Sequence, residues 1–323
     1  MANYDFPTEI IDLPSKGKCY EESNPLSKGS VEIKYMTAKE EDILASQNLI
    51  RKGVVLDKLF ESIVVQKDIK VDDILIGDKN AILLATRILG YGKDYNVEVI
   101  DPFTGEKQKT VIDLSKVQIK ESNNELFNHN NRYEFELPIA KKKVIFKLLT
   151  HKDEKDISAE IQALQRIQKG ESVSQDITTR LRHMIQEVDG NSDTGFINNF
   201  VKNGLLARDS RSLRNYVKDL SPDLDLTYQF TSDITGEKEA LDIPLGAGFF
   251  TLPTDYSIQL HNQIWEMVNY GNGFTWSEVY TMPIHWRRFY FKKLVDAKKK
   301  EKEQYDKSNK KSGPRGPNVR VRK

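Results

Sequence analysis

Alternating apolar and polar residues predict a strand at two corresponding places in the chain. Both segments alternate, break at a threonine and then become acidic: VEIKYMTAKEEDI at 31–43 and VIFKLLTHKDEKDI at 144–157. Alternation indicates a strand with one buried face. Thr37 with Glu40 fits a capping box, which satisfies backbone amides at the start of a helix, and Thr150 with Asp153 is a weaker version. The pattern therefore predicts a strand followed by a helix, twice.

A second pair of segments lies downstream and aligns without a gap at an offset of 131 residues: 74–107 with 205–238. Each contains a helix pattern begun by an aspartate, an acidic turn, a strand with aromatic residues and a Thr-Gly-Glu-Lys turn before a second strand. Two copies of about 100 residues are too long for a solenoid repeat. We therefore predict an α+β fold of two tandem related modules, each with a strand, helices and a β-hairpin.

The C-terminal third has a different composition. Residues 249–291 hold twelve of the thirty aromatic residues, including all three tryptophans. Apolar spacing predicts a helix over Asp255–Tyr270, Thr275 with Glu278 fits a capping box, and Pro283 suits the start of a further helix. A small helical region is therefore predicted after the second module.

These patterns set the predicted domain boundaries. Repeated Pro and Gly exclude a helix at the N-terminus, and from Ala297 onward eleven Lys and Arg face three acids, so that this end carries +8 while the whole chain carries +1. A charged end of this kind is typical of a disordered arm. The predicted parts are an extended N-terminal arm at 1–30, a first module at 31–120, a linker and strand at 121–143, a second module at 144–250, an aromatic helical region at 251–296 and a basic disordered tail at 297–323.

Composition and motifs exclude several classes of function. The longest apolar run falls far short of the roughly 20 residues of a membrane span, and Cys19, the only cysteine, allows no internal disulfide and no thiolate zinc site. The hairpin tips Asp101–Thr104 and Ser232–Thr235 resemble zinc knuckles without metal ligands. Five histidines lack ligand spacing, and GYGKDY at 90–95 lacks the spacing of a phosphate loop. We therefore predict no catalytic residue, no metal and no cofactor, and expect a protein that is not an enzyme.

Exposed aromatic and basic residues are the candidate binding residues. Five consecutive residues of the last predicted helix cannot all face inward, and Trp, Arg and Tyr are enriched at interface hot spots. The N-terminal arm adds apolar residues that we expect to lie along a surface. The partner-binding candidates are Trp286, Arg287, Arg288, Phe289, Tyr290, Leu13 and Pro14.

Four segments together resemble the baseplate hub assembly protein family of T-even phages: LPSKGKCY at 13–20, SKGSVEIKYMTAKEEDIL at 27–44, NLIRKGVVLDKLFESIVV at 48–65 and GDKNAILLATRILGYGKDYNVEV at 77–99. Members of that family often carry a cysteine pair at the first hairpin tip, where this sequence has Asp101 and Thr104. The resemblance implies a non-enzymatic chaperone, adaptor or structural component of the contractile tail. Its implied partners are other tail or baseplate hub proteins, and its implied location is the host bacterial cytoplasm or the virion tail.

A second hypothesis assigns nucleic-acid binding to the basic tail, through contacts with phosphates. Three acids interrupt this tail and no aromatic platform accompanies it, so the solvated-arm interpretation is favoured. The sequence leaves the oligomeric state open.

Overall fold

The computed structural model describes residues 7–122, 125–167, 175–243, 245, 247–250 and 256–311. Helices and small antiparallel sheets alternate along the chain, which confirms the predicted α+β class. Among these residues no helix is both long enough and apolar enough to cross a membrane.

The first module contains two hairpins with helices between them. Strand β1 pairs with β2, and β3 pairs with β4. Its elements are β1 (Thr8–Asp12), β2 (Ser30–Lys34), α1 (Ala38–Ala45), α2 (Gln47–Lys52), α3 (Val55–Ile63), α4 (Ile76–Tyr91), β3 (Asp94–Ile100) and β4 (Lys107–Asp113).

The second module repeats this order, after a short strand β5 (Gln118–Ile119). It contains a three-stranded sheet, β6-β7-β8, and a hairpin, β10-β11. Its elements are β6 (Tyr133–Glu136), β7 (Lys143–Phe146), α5 (His151–Ile167), α6 (Asp176–Met184), β8 (Ile185–Val188), α7 (Thr194–Asn199), α8 (Ala207–Leu220), β9 (Leu224–Asp225), β10 (Thr227–Thr231) and β11 (Lys238–Asp242). The helical region follows with α9 (Tyr256–Tyr270), α10 (Trp276–Thr281) and α11 (Ile284–Lys311).

A buried aspartate has the same role in both modules. Asp78, in the first turn of α4, accepts a hydrogen bond from the backbone N–H of Ser15 at 2.9 Å, in the loop between β1 and β2. Asp209, at the same position of α8, accepts from the N–H groups of Ile139 and Ala140 at 2.8 and 3.0 Å, in the loop between β6 and β7. Each long helix is thus fixed to the first hairpin of its own module, as expected for two related folding units.

The strand-to-helix junctions are also repeated. The Thr37–Glu40 capping box is present, and Lys34 pairs with Glu40 at 2.8 Å. In the second module Asp153 accepts hydrogen bonds from Thr150 and pairs with Lys147 at 2.7 Å. Both predicted caps are confirmed, and each acid also pairs with a lysine at or just after the end of the preceding strand.

The two Thr-Gly turns lie side by side. In each turn a glycine with positive φ donates to the carbonyl four residues earlier, from Gly105 to Asp101 at 2.8 Å and from Gly236 to Ser232 at 3.0 Å. The Ser232 hydroxyl donates to the Asp101 carboxylate at 2.6 Å. The repeated motif therefore marks two hairpin tips that contact each other.

One continuous hydrophobic cluster extends through both modules and reaches the start of α11. Backbone hydrogen bonds also join the modules, because His151 N–H donates to the Ile74 carbonyl at 2.8 Å and Ile76 N–H donates to Leu149 at 3.3 Å. Strand β5, which follows the first module, pairs with β9 of the second module. The modules are therefore joined by a shared core, by backbone hydrogen bonds and by a strand pair.

The structure corrects the prediction of an extended arm at 1–30. From Thr8 onward this segment is strand β1 and the loop that leads to β2, and the loop contributes Leu13, Cys19 and Leu26 to the core. Its Pro and Gly residues exclude a helix, as expected, but they shape a packed loop. The strand predicted within the linker and strand at 121–143 is present as β6, which begins at Tyr133, but it belongs to the second module because it pairs with β7.

The basic tail predicted to be disordered from 297 is helical as far as Lys311, because α11 continues without a break. Lys and Glu are good helix formers, and no Pro or Gly occurs between Ile284 and Lys311. Lys298 and Glu301 add an ion pair at 2.9 Å along the helix. The rest of that prediction, 312–323, lies outside the described residues.

Candidate protein interaction surface

Helix α11 is fixed to the first module at its N-terminal end. The predicted start at Pro283 is confirmed, with Ile284 as the first helical residue. The Ile284 N–H donates to the Met36 carbonyl at 2.9 Å, and the Ile284 side chain is fully buried in the main cluster. The inner side of α11 is therefore part of the core, and the direction in which its outer side points is set by that core.

Arg287, predicted as a partner-binding residue, is instead completely buried. Its guanidinium forms an ion pair with Glu41 of α1, and its Nε donates to Gln263 of α9 at 3.2 Å. The hydroxyl of Tyr256 also donates to Glu41. Arg287 is therefore an internal anchor, because a buried charge of this kind requires a paired partner.

Arg288 is exposed and lies beside a second arginine. Its guanidinium stands 4.6 Å from the centre of the Tyr91 ring, and Arg87 stands 4.7 Å from the same ring. Burial raises the pKa of Tyr91 and lowers that of Arg87. The tyrosine stays neutral at physiological pH, and its ring stabilises two neighbouring cations.

The outer side of α11 presents a continuous aromatic surface, which we call the aromatic face: Trp286, Phe289 and Tyr290. These side chains are 47%, 47% and 40% exposed. Their ring centres lie 6.0 Å apart for Trp286 and Phe289, 6.2 Å for Trp286 and Tyr290, and 5.4 Å for Phe289 and Tyr290. The three rings support one another and leave one flank open to solvent.

Other side chains extend this surface and fix its position. Phe274 contacts Tyr290 with ring centres 5.6 Å apart, and the Lys293 ammonium lies 5.5 Å from the Phe289 ring centre. The predicted capping box of Thr275 and Glu278 is present and starts α10. The aromatic face is thus bordered by ordered structure and by a cation, which matches the aromatic centre and polar rim of protein interfaces.

Leu13 and Pro14, the other predicted candidates, are buried in their own chain. Leu13 donates its backbone N–H to the Gly29 carbonyl at 2.9 Å and packs in the main cluster. The expectation that they contact a partner is corrected, because β1 pairs with β2 and the loop that connects them packs in the core.

Sequence reasoning missed a buried group of charges between the modules. His151 lies 2.5 Å from Asp57 through Nε2 and 3.1 Å from the Lys79 ammonium through Nδ1, while Lys155 pairs with Asp57 at 2.9 Å. Burial and the neighbouring Lys79 lower the pKa of His151, so the imidazole is neutral, accepts from Lys79 and donates to Asp57. These residues come from three helices and lie up to 98 positions apart, so no local motif could indicate them.

In the part of the chain that the structure describes, no group of three or more His, Cys, Asp or Glu residues is arranged to hold a metal ion. At the first hairpin tip Asp101 accepts from the N–H groups of Phe103 and Thr104 at 2.8 and 3.3 Å. Its carboxylate is therefore engaged in holding the turn and in the contact with Ser232.

Residues 6–131 match the family described as T4 bacteriophage base plate protein. The matched range begins just before β1 and ends just before β6, so it contains the whole first module and β5. Over this range the chain is similar to T4-type phage baseplate proteins. Neither the comparison with curated proteins nor the comparison with solved structures gave a match.

The aromatic face lies outside the matched range, but it is attached directly to the matched residues. Met36, Glu41 and Tyr91 all belong to the matched residues, and each contacts the inner side of α11. The baseplate region therefore acts as the support on which the aromatic face is presented.

Proposed function

We propose that this baseplate protein takes part in building the central hub of a contractile tail, as a non-enzymatic chaperone, adaptor or structural component. It binds another tail or hub protein, through the aromatic face. The observation that carries the proposal is the contrast between the two sides of α11. Ile284 and Arg287 are fully buried on one side, and three neighbouring aromatic rings are almost half exposed on the other.

Physical reasons support a protein partner for this surface. Aromatic rings bury a large area with few rotatable bonds, so they gain more from burial than they lose in side-chain entropy. The anchoring of α11 on α1 through Arg287 and Glu41, and on α4, means that the rings are already in place before a partner arrives. A preorganised aromatic cluster of this kind is typical of an interface hot spot.

The test is binding to tail proteins by folded variants. Trp286→Ala and Phe289→Ala remove exposed rings and leave the buried side of α11 intact. Each is expected to weaken the complex about tenfold or more, the usual loss at a hot spot. Tail complexes from phage-infected cells would be captured with tagged wild-type and variant proteins and quantified by mass spectrometry.

Ile258→Ala is the matched control, since Ile258 is an apolar side chain of α9 that is 67% exposed and lies outside the aromatic face. It should leave the complex unchanged. Normal capture of every tail partner by both aromatic variants would disprove the role of the aromatic face. Proteomics of mature particles would then separate the two forms of the proposal, because a chaperone acting in the host cytoplasm is absent from particles and a structural component of the tail is present.

A further inference from the structure

Helix α11 extends beyond the end of α9, the helix that packs against it. Phe291 and Leu294 pack with Leu260, Ile264 and Met267 of α9, but α9 ends at Tyr270. From Lys298 to Lys311 helix α11 continues for about 20 Å at the usual rise per residue. Its side chains from Ala297 to Lys307 are exposed.

A cleft of 260 Å³ lies where the two helices part. Its floor is apolar and is made by Tyr270, Leu294 and Val295. Lys298, Lys299 and Lys302 stand on its rim, and Glu266 closes the side towards α9. Trp265, which is 55% exposed, contacts Tyr270 edge-on with ring centres 5.5 Å apart. We call this feature the lysine-rimmed cleft.

The cleft continues the side of α11 that packs against α9. Residues 291, 294, 298, 302 and 305 follow one another at helical spacings of three and four, so they share one side of the helix. Along this line the chemistry changes from Phe and Leu to Lys, Lys and Tyr. A segment that extends the α9 packing must therefore offer apolar side chains to the floor and negative charge to the rim.

We propose that the lysine-rimmed cleft receives an acidic amphipathic helix of a partner protein, which packs along α11 where α9 ends. Its apolar residues enter the floor beside Tyr270 and Leu294, and its carboxylates pair with the rim lysines. Charge complementarity supports this occupant, because residues 297–311 contain seven lysines and three acids. A helix laid in an apolar groove and steered by charge is a recurrent mode of recognition.

The same observations favour a protein segment over a nucleic acid. The apolar floor matches side chains of a peptide and offers nothing to a phosphate backbone. This surface lies on the opposite side of α11 from the aromatic face, so the two proposals are tested by different residues.

The experiment places a photo-crosslinking residue in the cleft of the full-length protein. Tyr270 is replaced by p-benzoylphenylalanine, phage-infected cells are irradiated, and the crosslinked peptide is sequenced by mass spectrometry. A peptide from another tail protein, amphipathic and rich in Asp and Glu, is expected. A crosslink to this same chain, to nucleic acid, or to no partner at all would overturn the proposal.

Two double variants with reversed charges test the role of the rim lysines through the crosslink yield. Lys299→Glu with Lys302→Glu alters the rim and should lower the crosslink yield about tenfold, which corresponds to two exposed charge pairs reversed from attraction to repulsion. Lys300→Glu with Lys307→Glu makes the same change of charge on the outer side of the same helix and should leave the yield within about twofold. Equal losses in both variants would indicate non-specific attraction and contradict a built cleft.

Discussion

At the scale of single residues, the contact between the modules depends on the protonation of His151. The neutral imidazole fits its surroundings because one ring nitrogen donates to Asp57 and the other accepts from Lys79. A proton added to Nδ1 would remove that acceptor and place a positive charge beside the lysine. Burial and Lys79 accordingly keep the pKa of His151 below its usual value of 6.5.

The sign of the resulting pH dependence follows from linkage. Between the folded and unfolded pKa values the unfolded chain binds more protons, so the free energy of unfolding falls as the pH drops below about 6.5. We expect a larger loss between pH 7.5 and 5.5 in the wild-type protein than in His151→Gln, whose amide keeps a donor and an acceptor but does not titrate. Urea unfolding at the two pH values measures both. Equal losses would show that His151 contributes no pH dependence, because every other titrating group is the same in the two proteins.

The role of a residue could be predicted from the sequence only where that role depends on neighbouring positions in the chain. The capping threonines Thr37, Thr150 and Thr275 were recognised because a cap needs only a residue three positions away. The burial of Arg287 was not, since its partner Glu41 lies 246 positions earlier in the chain. An arginine in an aromatic helix can belong to a binding surface or serve as an internal anchor, and the sequence pattern is the same in both cases. Only the folded structure distinguishes the two roles.

At the scale of elements, α11 depends on the buried pair of Arg287 and Glu41. Removing one member of a buried ion pair leaves the other charge uncompensated, which costs about 3–5 kcal/mol. We therefore expect Arg287→Ala to lower the free energy of unfolding by about 3 kcal/mol and to speed amide exchange along α11. Chemical denaturation and hydrogen exchange would measure these changes.

Arg288→Ala is the matched control for this prediction. Arg288 is exposed, and its guanidinium makes a cation–π contact with the Tyr91 ring. Such a contact contributes about 0.5–1 kcal/mol at exposed sites. The double variant Glu41→Gln with Arg287→Met removes both charges and should recover much of the stability lost in Arg287→Ala. If Arg287→Ala cost no more than Arg288→Ala, the buried pair would not be what holds α11.

Elements that carry their own local signal agree with the sequence-based expectations. The strands at 30–34 and 143–146, the two long helices α4 and α8, and α9 all occur where the patterns placed them. The N-terminal segment and the end of α11 differ for a physical reason. Apolar residues separated by Pro and Gly fit an arm or a packed loop equally well, and a lysine-rich segment with interspersed Glu has high helix propensity together with the charge of a disordered tail.

At the scale of the whole molecule, the repeat could be predicted from the sequence because the two modules keep the same spacing between corresponding residues. The offset of 131 residues relates Asp78 to Asp209 and Asp101 to Ser232, and both pairs occupy equivalent positions. The arrangement of the two modules relative to each other could not be predicted from the sequence. That arrangement depends on contacts between residues about 70 to 130 positions apart, such as Ile74 with His151 and Asp101 with Ser232, which no local pattern specifies.

The shared core predicts that the two modules unfold as one unit. The hydrophobic cluster is continuous across them, and α4 contacts the second module through Asn80 with Asp223 and, towards its other end, through Arg87 with the Phe249 carbonyl. Gly77 marks a close approach of the modules, because a Cβ added there would lie 1.8 Å from the Pro222 carbonyl oxygen, a backbone atom just before β9. Gly77→Ala must therefore push the modules apart.

We expect Gly77→Ala to destabilise the protein by at least about 2 kcal/mol, in the range of overpacked cores, and to lower a single Tm by roughly 4 °C. Differential scanning calorimetry should show one transition in the wild type and one in the variant, since a strained contact between the modules weakens both together. Gly195→Ala is the control, because Gly195 is an exposed residue of α7 whose nearest neighbour is the end of the Asp193 side chain. Two separate transitions, with only one moved by Gly77→Ala, would mean that the modules are independent domains, and the aromatic face would then be supported by the first module alone.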